Sequence, residues 1–349
     1  MSSVFVYEMS SNPRPVHEKD DGRAHVEFGT DPREVLKKFG YCVVENVFSK
    51  ELCGKTIDAM WRWLEGLGTG IKKADPLSWD DGRWPVHIRA GMIQHTLGQE
   101  EFMWEIREHE NVVEVFRQIH GTKKLLSSFD GASINRPIAS GFTMESAESW
   151  LHTDQNVVSD MSLEQVYGSE KYSIQGVANF ADVGDEDGSL FVGESSHLLH
   201  TKLFAWNGSE PKNNWYLLHK ADVDWLLENK IRFVKVNAPA GSLLLFDSRC
   251  FHSGCTSMGK DNDRFRYVIY VSLSPASRAT EKDIMLKTKA IQAGGTTSHW
   301  SSANIKIFPH PRRSKDKDIK YLTRYKNIPD YHAWSVHRKK LAGLIPYEK

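Results

Sequence analysis

The chain has 349 residues, 40% of them hydrophobic, enough to bury a large core as one sizeable domain with extensions. Lysine plus arginine and aspartate plus glutamate each number 45, so the formal charge is zero and no global field of either sign draws in DNA or RNA. No apolar run approaches the roughly 18 residues of a membrane span, and Met1 to Glu8 lack a basic region followed by an apolar stretch. A cytoplasmic protein with neither nucleic-acid nor membrane partners is expected; the oligomeric state is not legible.

In chain order, residues 1–30 are polar and expected to be poorly ordered. Asp31-Pro32 reads as an N-cap followed by a proline at the first helical position, with Val35, Leu36 and Phe39 as the apolar face and Gly40 as the stop. A second helix is predicted from Ser49 through Leu52, Ile57, Met60, Trp61 and Leu64. Gly66 to Pro85, rich in glycine and aspartate, reads as a long loop in which Trp79 and Trp84 are candidates to line a pocket. Helices resume from Glu100 to His120, with Gly121 as the stop.

From about Leu126 the pattern changes to strands: Ala132 to Asn135, Ser149 to Asp154, Ser173 to Ala181, Gly188 to Val192, Ile231 to Val236, Ser242 to Phe246 and Arg266 to Ser272. A helix, Ala221 to Glu228, interrupts them within the interval 198–230. Helices followed by antiparallel-looking strands define an α+β class. The predicted organisation is one domain over 31–278, with helices in 31–121 and strands in about 126–275, then a C-terminal extension, 279–349, packed on it. In the extension, Gly294 to Trp300 reads as a surface loop rather than a flap, with Trp300 another candidate pocket residue. Pro311 to Lys320 reads as a solvated basic stretch, and the terminal Pro346 to Lys349 is not a Ser-Lys-Leu peroxisomal address.

The chemistry-bearing residues lie in the strands. His152 and Asp154 are two apart, and side chains two apart share a face only in extended backbone, so a common ion requires a strand here with Thr153 facing away. A third ligand must come from a neighbouring strand. His252 qualifies, since it follows the apolar run Leu243 to Phe246 that opens after the turn signal Pro239-Ala-Gly241. Two imidazoles and one carboxylate on one face of an octahedral ion leave positions free for a co-substrate and O₂, as non-heme Fe(II) requires. Downstream, Arg266 opens the run to Ser272 and shares a face with Val268 and Tyr270. A buried arginine there matches a co-substrate carboxylate through its planar fork, and Arg264 has the same parity and is held in reserve.

Four cysteines, Cys42, Cys53, Cys250 and Cys255, lack a Cys-x-x-Cys spacing and read as structural thiols; Cys250, two residues before His252, is the one to watch beside the metal. His197 and His200 read as hydrogen-bonded structural residues, and His299, His310, His332 and His337 lie in the tail without metal-ligand spacing.

The surroundings of this triplet resemble the phytanoyl-CoA dioxygenase family of Fe(II)/2-oxoglutarate oxygenases. The resemblance is carried by Lys38 to Val47, similar to an opening Gly-Tyr-x-Val-Val strand, by Asn135-Arg136-Pro137, by Asp187 to His197 and by Ala240 to His252. These segments span about residues 33–275 in the family's order; Glu194-Ser195 stands where the family usually has Pro-Gly. The resemblance implies a double-stranded β-helix (jelly-roll, cupin-like) core braced by the N-terminal helices. It implies His152, Asp154 and His252 as iron ligands and Arg266 as the grip on the 5-carboxylate of 2-oxoglutarate. The implied activity is hydroxylation of a small organic substrate with O₂, giving succinate and CO₂, and retention of Asp154 favours hydroxylation or a related oxidation over halogenation. An oxygenase acting on a protein side chain or carrier-bound acyl group, and a non-catalytic jelly-roll module, are the other readings the sequence leaves open.

Overall fold

Helix α1, Arg33–Phe39, ends at Gly40 with φ +78°, a left-handed stop that suits glycine. Before it, in the computed structural model, come strands β1 (Glu18–Lys19) and β2 (His25–Glu27); the described residues are 15–88, 91–137, 140–141, 150–156, 172–210, 213–257, 261–308 and 327–348. The expectation of poor order over 1–30 is therefore corrected for residues 18–27. Both short strands add in parallel to sheet edges, and His25 bridges Asp20 and Glu45. Local polarity hid this, because the pairing partners lie in other segments, Tyr41–Glu45 and Phe233–Lys235.

Strand β3 (Tyr41–Glu45) is followed by α2, Lys50–Gly66, whose N-cap Ser49 accepts from the Leu52 N–H. Next are β4 (Met92–Ile93), then α3 (Glu101–Arg107) and α4 (Glu110–His120), within the helical stretch expected from Glu100 to His120. The strands continue with β5 (Leu125–Ser127), β6 (Ala132–Asn135), β7 (His152–Thr153), β8 (Ile174–Asn179) and β9 (Ser189–Gly193). The insertion holds α5 (His200–Asn207), β10 (Tyr216–Leu217) and α6 (Lys220–Glu228). The barrel closes with β11 (Phe233–Lys235), β12 (Leu243–Asp247), β13 (His252–Cys255) and β14 (Arg266–Val271), after which β15 (Leu273–Pro275) pairs with β5 in a separate two-stranded sheet. Beyond it lie α7 (Glu281–Gln292), β16 (Thr296–Thr297), β17 (Ile307–Phe308) and α8 (Val336–Ala342).

Two sheets face each other as a double-stranded β-helix. One has the order β1-β11-β9-β13-β7-β10, the other β2-β3-β12-β8-β14-β6-β4. Strand alternation assigns each residue a side. Leu244 and Phe246 join Val177, Val268, Leu190 and Val192 between the sheets, whereas Leu243, Leu245, Ile269 and Val271 face Met60, Trp61, Ile106 and Phe116 of the helices. Phe191, Phe233 and Phe251 face the other way, against Leu203, Val223 and Leu226 of α5 and α6. Gly176 allows the larger sheet to approach α4, since a Cβ there would lie 2.4 Å from the Val271 carbonyl oxygen and 3.2 Å from Phe116.

Trp84 is fully buried and Trp79 partly buried, packed into the interior rather than held in an open loop. They pack with Trp61 and Phe265 in an aromatic cluster beneath the helical face, and the Arg136 guanidinium sits 5.0 Å from the Trp84 ring. The Gly294 to Trp300 segment is not a surface loop either. The Thr297 N–H donates to the Phe129 carbonyl, Phe129 N–H to Thr297 Oγ1, and Thr296 Oγ1 to the Gln94 carbonyl, so β16 is bonded into the body of the protein. The basic stretch 311–320 lies outside the described residues, and no described helix is long and apolar enough to cross a membrane.

Buried histidines couple this packing to pH. Burial lowers His95 to about 4 and His120 to about 3, with the neighbouring Arg278 adding to the shift at His120. A neutral imidazole in the fold that would be charged in the unfolded chain stabilises above its ordinary value near 6.5, and that stabilisation is lost as pH falls toward the folded value. Urea unfolding at pH 7 and pH 5 is expected to show lower stability at pH 5, by roughly 1.4 kcal/mol per pH unit for each such group. His120→Gln, which keeps a hydrogen-bonding group, is expected to flatten the profile; an unchanged profile would contradict this account.

Candidate metal centre

His152 and His252 are directly opposite each other in the β7–β13 pair, and His252 is also opposite Val192 of β9, which points between the sheets. Both imidazoles therefore enter the barrel interior. Asp154, two residues beyond His152, turns to the same side, while Thr153 faces away and donates through Oγ1 to the Ser248 carbonyl. One ligand atom from each of the three residues lies within 4.8 Å of the others. The Asp154 carboxylate is 3.8 Å from His152 Nε2 and 3.5 Å from His252 Nε2.

The neighbours fix these groups. His152 Nδ1 lies 2.9 Å from the Trp150 carbonyl oxygen and His252 Nδ1 3.0 Å from that of Cys250. A carbonyl can only accept, so each Nδ1 carries the proton and each Nε2 presents a lone pair inward, the tautomer a metal needs. Gln175 Nε2 donates at 2.8 Å to Asp154 Oδ2 and at 3.2 Å to Ser248 Oγ, and the Asp154 backbone N–H is held by the Ser248 carbonyl. Burial, with His252 nearby, lowers His152 to about 4. At Asp154 burial pushes upward, but His152 and His252 outweigh it and hold the carboxyl well below the usual carboxylate range. Two imidazoles and one carboxylate form a donor set that fits a divalent first-row metal. Gln175→Leu removes the support of the carboxylate and is expected to weaken Co(II) binding by about 10- to 100-fold in a spectroscopic titration; equal affinity would show that Gln175 does not orient Asp154.

Arg266 opens β14 on the interior face, opposite Asn135 of β6. It is buried, and its Nε and Nη1 have no hydrogen-bond partner; the same holds for both amide atoms of Asn135. A Cβ on Gly188 would stand 3.3 Å from Asn135 Nδ2 and 3.5 Å from Arg266 Cδ, so that glycine keeps the space between them open. Arg264, in contrast, is half exposed and paired with Asp187 at 2.7 Å. Cys250 does not face the metal side: its thiol donates to the Gly40 carbonyl at 3.2 Å. Ser195 adopts φ +61°, and its hydroxyl donates to the Lys38 carbonyl.

His299 and Gln175 had no assigned role in the sequence. His299 lies within electrostatic reach of Asp154 and His252, so the tail contributes to the site. The available signal was Gly294-Gly295 before the β-branched pair Thr296-Thr297, a short strand that carries His299 into the body. Gln175 follows from alternation with Val177.

A jelly roll with two histidines and one aspartate converging inside it defines a mononuclear non-heme metal enzyme. Residues 36–264 match the sequence profile of the phytanoyl-CoA dioxygenase (PhyH) family, and the chain belongs to that family. It is accordingly a 2-oxoglutarate-dependent oxygenase that uses iron, with the ligand-competent triad this activity needs. A relative, "Ava biosynthesis cluster protein O" of Aspergillus versicolor, is 27% identical over 265 residues, covering 74% of this chain and 81% of that protein. Among solved structures, the hypothetical protein JW0805 of Escherichia coli at high pH is 13% identical with TM-score 0.59, covering 92% of this chain and 84% of that one, a likeness of fold.

Proposed function

We propose that the protein hydroxylates a small organic substrate, with His152, Asp154 and His252 holding Fe(II) and Arg266 holding the distal carboxylate of 2-oxoglutarate. The observation that carries this reading is the Arg266 guanidinium, buried beside an open space with Nε and Nη1 unpaired. A buried cation without a partner is costly, and a planar carboxylate satisfies two of its N–H groups at once. The Asn135 amide across the strand pair offers a further donor to the same carboxylate. Arg264 is engaged by Asp187 and is the weaker candidate.

Iron in the triad supplies O₂ activation coupled to the conversion of 2-oxoglutarate to succinate and CO₂. The protein's part is placement and exclusion of water. His152 and His252 offer their Nε2 atoms, Gln175 fixes the carboxylate, and the apolar side chains of Leu190, Val192 and Phe246 exclude water from the interior. The Aspergillus relative's association with a biosynthesis cluster supports a small metabolite as substrate. The test is incubation with Fe(II), 2-oxoglutarate and O₂ against panels of small metabolites, peptides and carrier-bound acyl groups, scored by mass for gain of one oxygen atom. Oxygenation within the metabolite panel is expected; oxygenation of peptides or carrier-bound substrates alone would overturn the substrate class.

A further inference from the structure

The turn between β8 and β9 is acidic, Asp182-Val-Gly-Asp-Glu-Asp187; Asp182, Asp185 and Glu186 are exposed, whereas Asp187 is buried. Its carboxylate accepts from Arg264 Nη2 at 2.7 Å, from Asn262 Nδ2 at 2.6 Å and from the Gly184 N–H at 2.8 Å. These bonds tie the turn to the segment that leads into β14 and so to Arg266. A cavity of about 20 Å³ lies beside the ion pair, lined by Asp187 and Arg264 together with Arg266, Asn135, Gly188 and Arg136. That is room for a small polar group. Gly188 follows Asp187 directly, and a Cβ added there would lie 3.5 Å from Arg266 Cδ, so the ion pair and the Arg266 guanidinium border one space.

The charges around this space can be paired off. Arg136 is engaged by Asp81 at 2.6 Å and Arg264 by Asp187. Arg266 has no ion pair among the described residues, and its Nε and Nη1 are buried without hydrogen-bond partners. The lining therefore carries one uncompensated positive charge. A group with a single negative charge cancels it, whereas a doubly charged group leaves one negative charge in a partly enclosed space, which is costly.

We propose that Asp187 determines co-substrate specificity: by neutralising Arg264 it makes the pocket select a 2-oxo acid whose far end is a singly charged carboxylate over one whose far end is a doubly charged phosphonate. Asp187 acts through Arg264 and by the charge it removes. This rests on the reading that Arg266 holds the distal carboxylate of 2-oxoglutarate.

The probes are 2-oxoglutarate and its phosphonate analogue, 2-oxo-4-phosphonobutanoate, each titrated into anaerobic, Fe(II)-loaded full-length protein at a pH where the phosphonate is doubly ionised. Binding is read from the visible absorbance that a 2-oxo acid gives on chelating Fe(II). The wild type is expected to bind 2-oxoglutarate more tightly by about tenfold or more. Asp187→Asn keeps the size of the side chain and leaves the Arg264 charge uncompensated, so it should narrow that preference by about tenfold. Arg264→Gln removes the cation and keeps Asp187, so it should widen the preference. A merely structural role for the ion pair would weaken both ligands alike and leave their ratio unmoved. Arg264 is half exposed, so its variant tests the proposal even where Asp187→Asn fails to fold; thermal melts establish which variants are folded. Equal binding of the two acids by the wild type, or an unmoved ratio in either folded variant, would overturn the proposal. Wild-type binding of 2-oxoglutarate alongside either outcome removes only this inference, whereas no binding of 2-oxoglutarate removes the co-substrate reading beneath it.

Discussion

Replacing Asp154 with alanine is expected to lower Fe(II) or Co(II) affinity by more than about 100-fold and to abolish conversion of 2-oxoglutarate to succinate. Loss of a group that merely orients a ligand typically weakens metal binding by about 10- to 100-fold, so loss of an anionic ligand must exceed that range. Asp154 is also the one negative group among the three convergent side chains, 3.8 Å and 3.5 Å from the two Nε2 atoms. Alanine would leave a divalent ion facing two neutral imidazoles in a dry interior, where an uncompensated charge is costly. Metal titration monitored by Co(II) absorbance checks the first part and succinate quantitation the second. Wild-type metal affinity in the variant would show that the ion is held elsewhere.

The second large effect concerns the co-substrate. Arg266→Ala is expected to raise the KM for 2-oxoglutarate by about 30-fold to a few thousand-fold, because losing one partner of a buried hydrogen-bonded charge pair costs about 2–5 kcal/mol. Metal affinity should change little, since Arg266 donates to none of the three ligands and its Nε and Nη1 are unpaired. Arg264→Ala should shift KM far less, since the Arg264 guanidinium is half exposed and already engaged by Asp187. Initial rates of succinate formation over a 2-oxoglutarate series in the two variants decide the point. A large KM effect at Arg264 with none at Arg266 would transfer the role.

Much of this site is legible because strand geometry is strict. The His152-x-Asp154 spacing works only in extended backbone, and the apolar run before His252 marks the strand that leads to it; the two histidines prove to be cross-strand neighbours. Alternation likewise puts Arg266 on one face with Val268. The helix stops at Gly40 and Gly121 follow from a local conformational need, a positive φ. What is not legible depends on long-range contact. Residues 18–27 are polar and uninformative alone, but their backbone adds to β11 and β3. Trp84 is buried and Trp79 partly buried, in a stretch rich in turn residues, by packing with Trp61 and Phe265 from other elements. His299 lies 47 positions past His252, and only the docking of β16 against Phe129 and Gln94 brings it to the site. The unpaired state of Arg266 is invisible to sequence for the same reason, since it depends on what other chain segments fail to offer it.

The most direct test of the central claim is succinate formation from 2-oxoglutarate by anaerobically iron-loaded protein exposed to O₂, wild type beside Asp154→Ala, with no added substrate. This uncoupled turnover requires the metal, the co-substrate and the triad together and depends on no knowledge of the natural substrate. Succinate that is iron-dependent in the wild type and absent in the variant is the expected result. A wild type that takes up iron, binds no 2-oxoglutarate and forms no succinate would contradict the account and leave a jelly-roll protein with a structural metal.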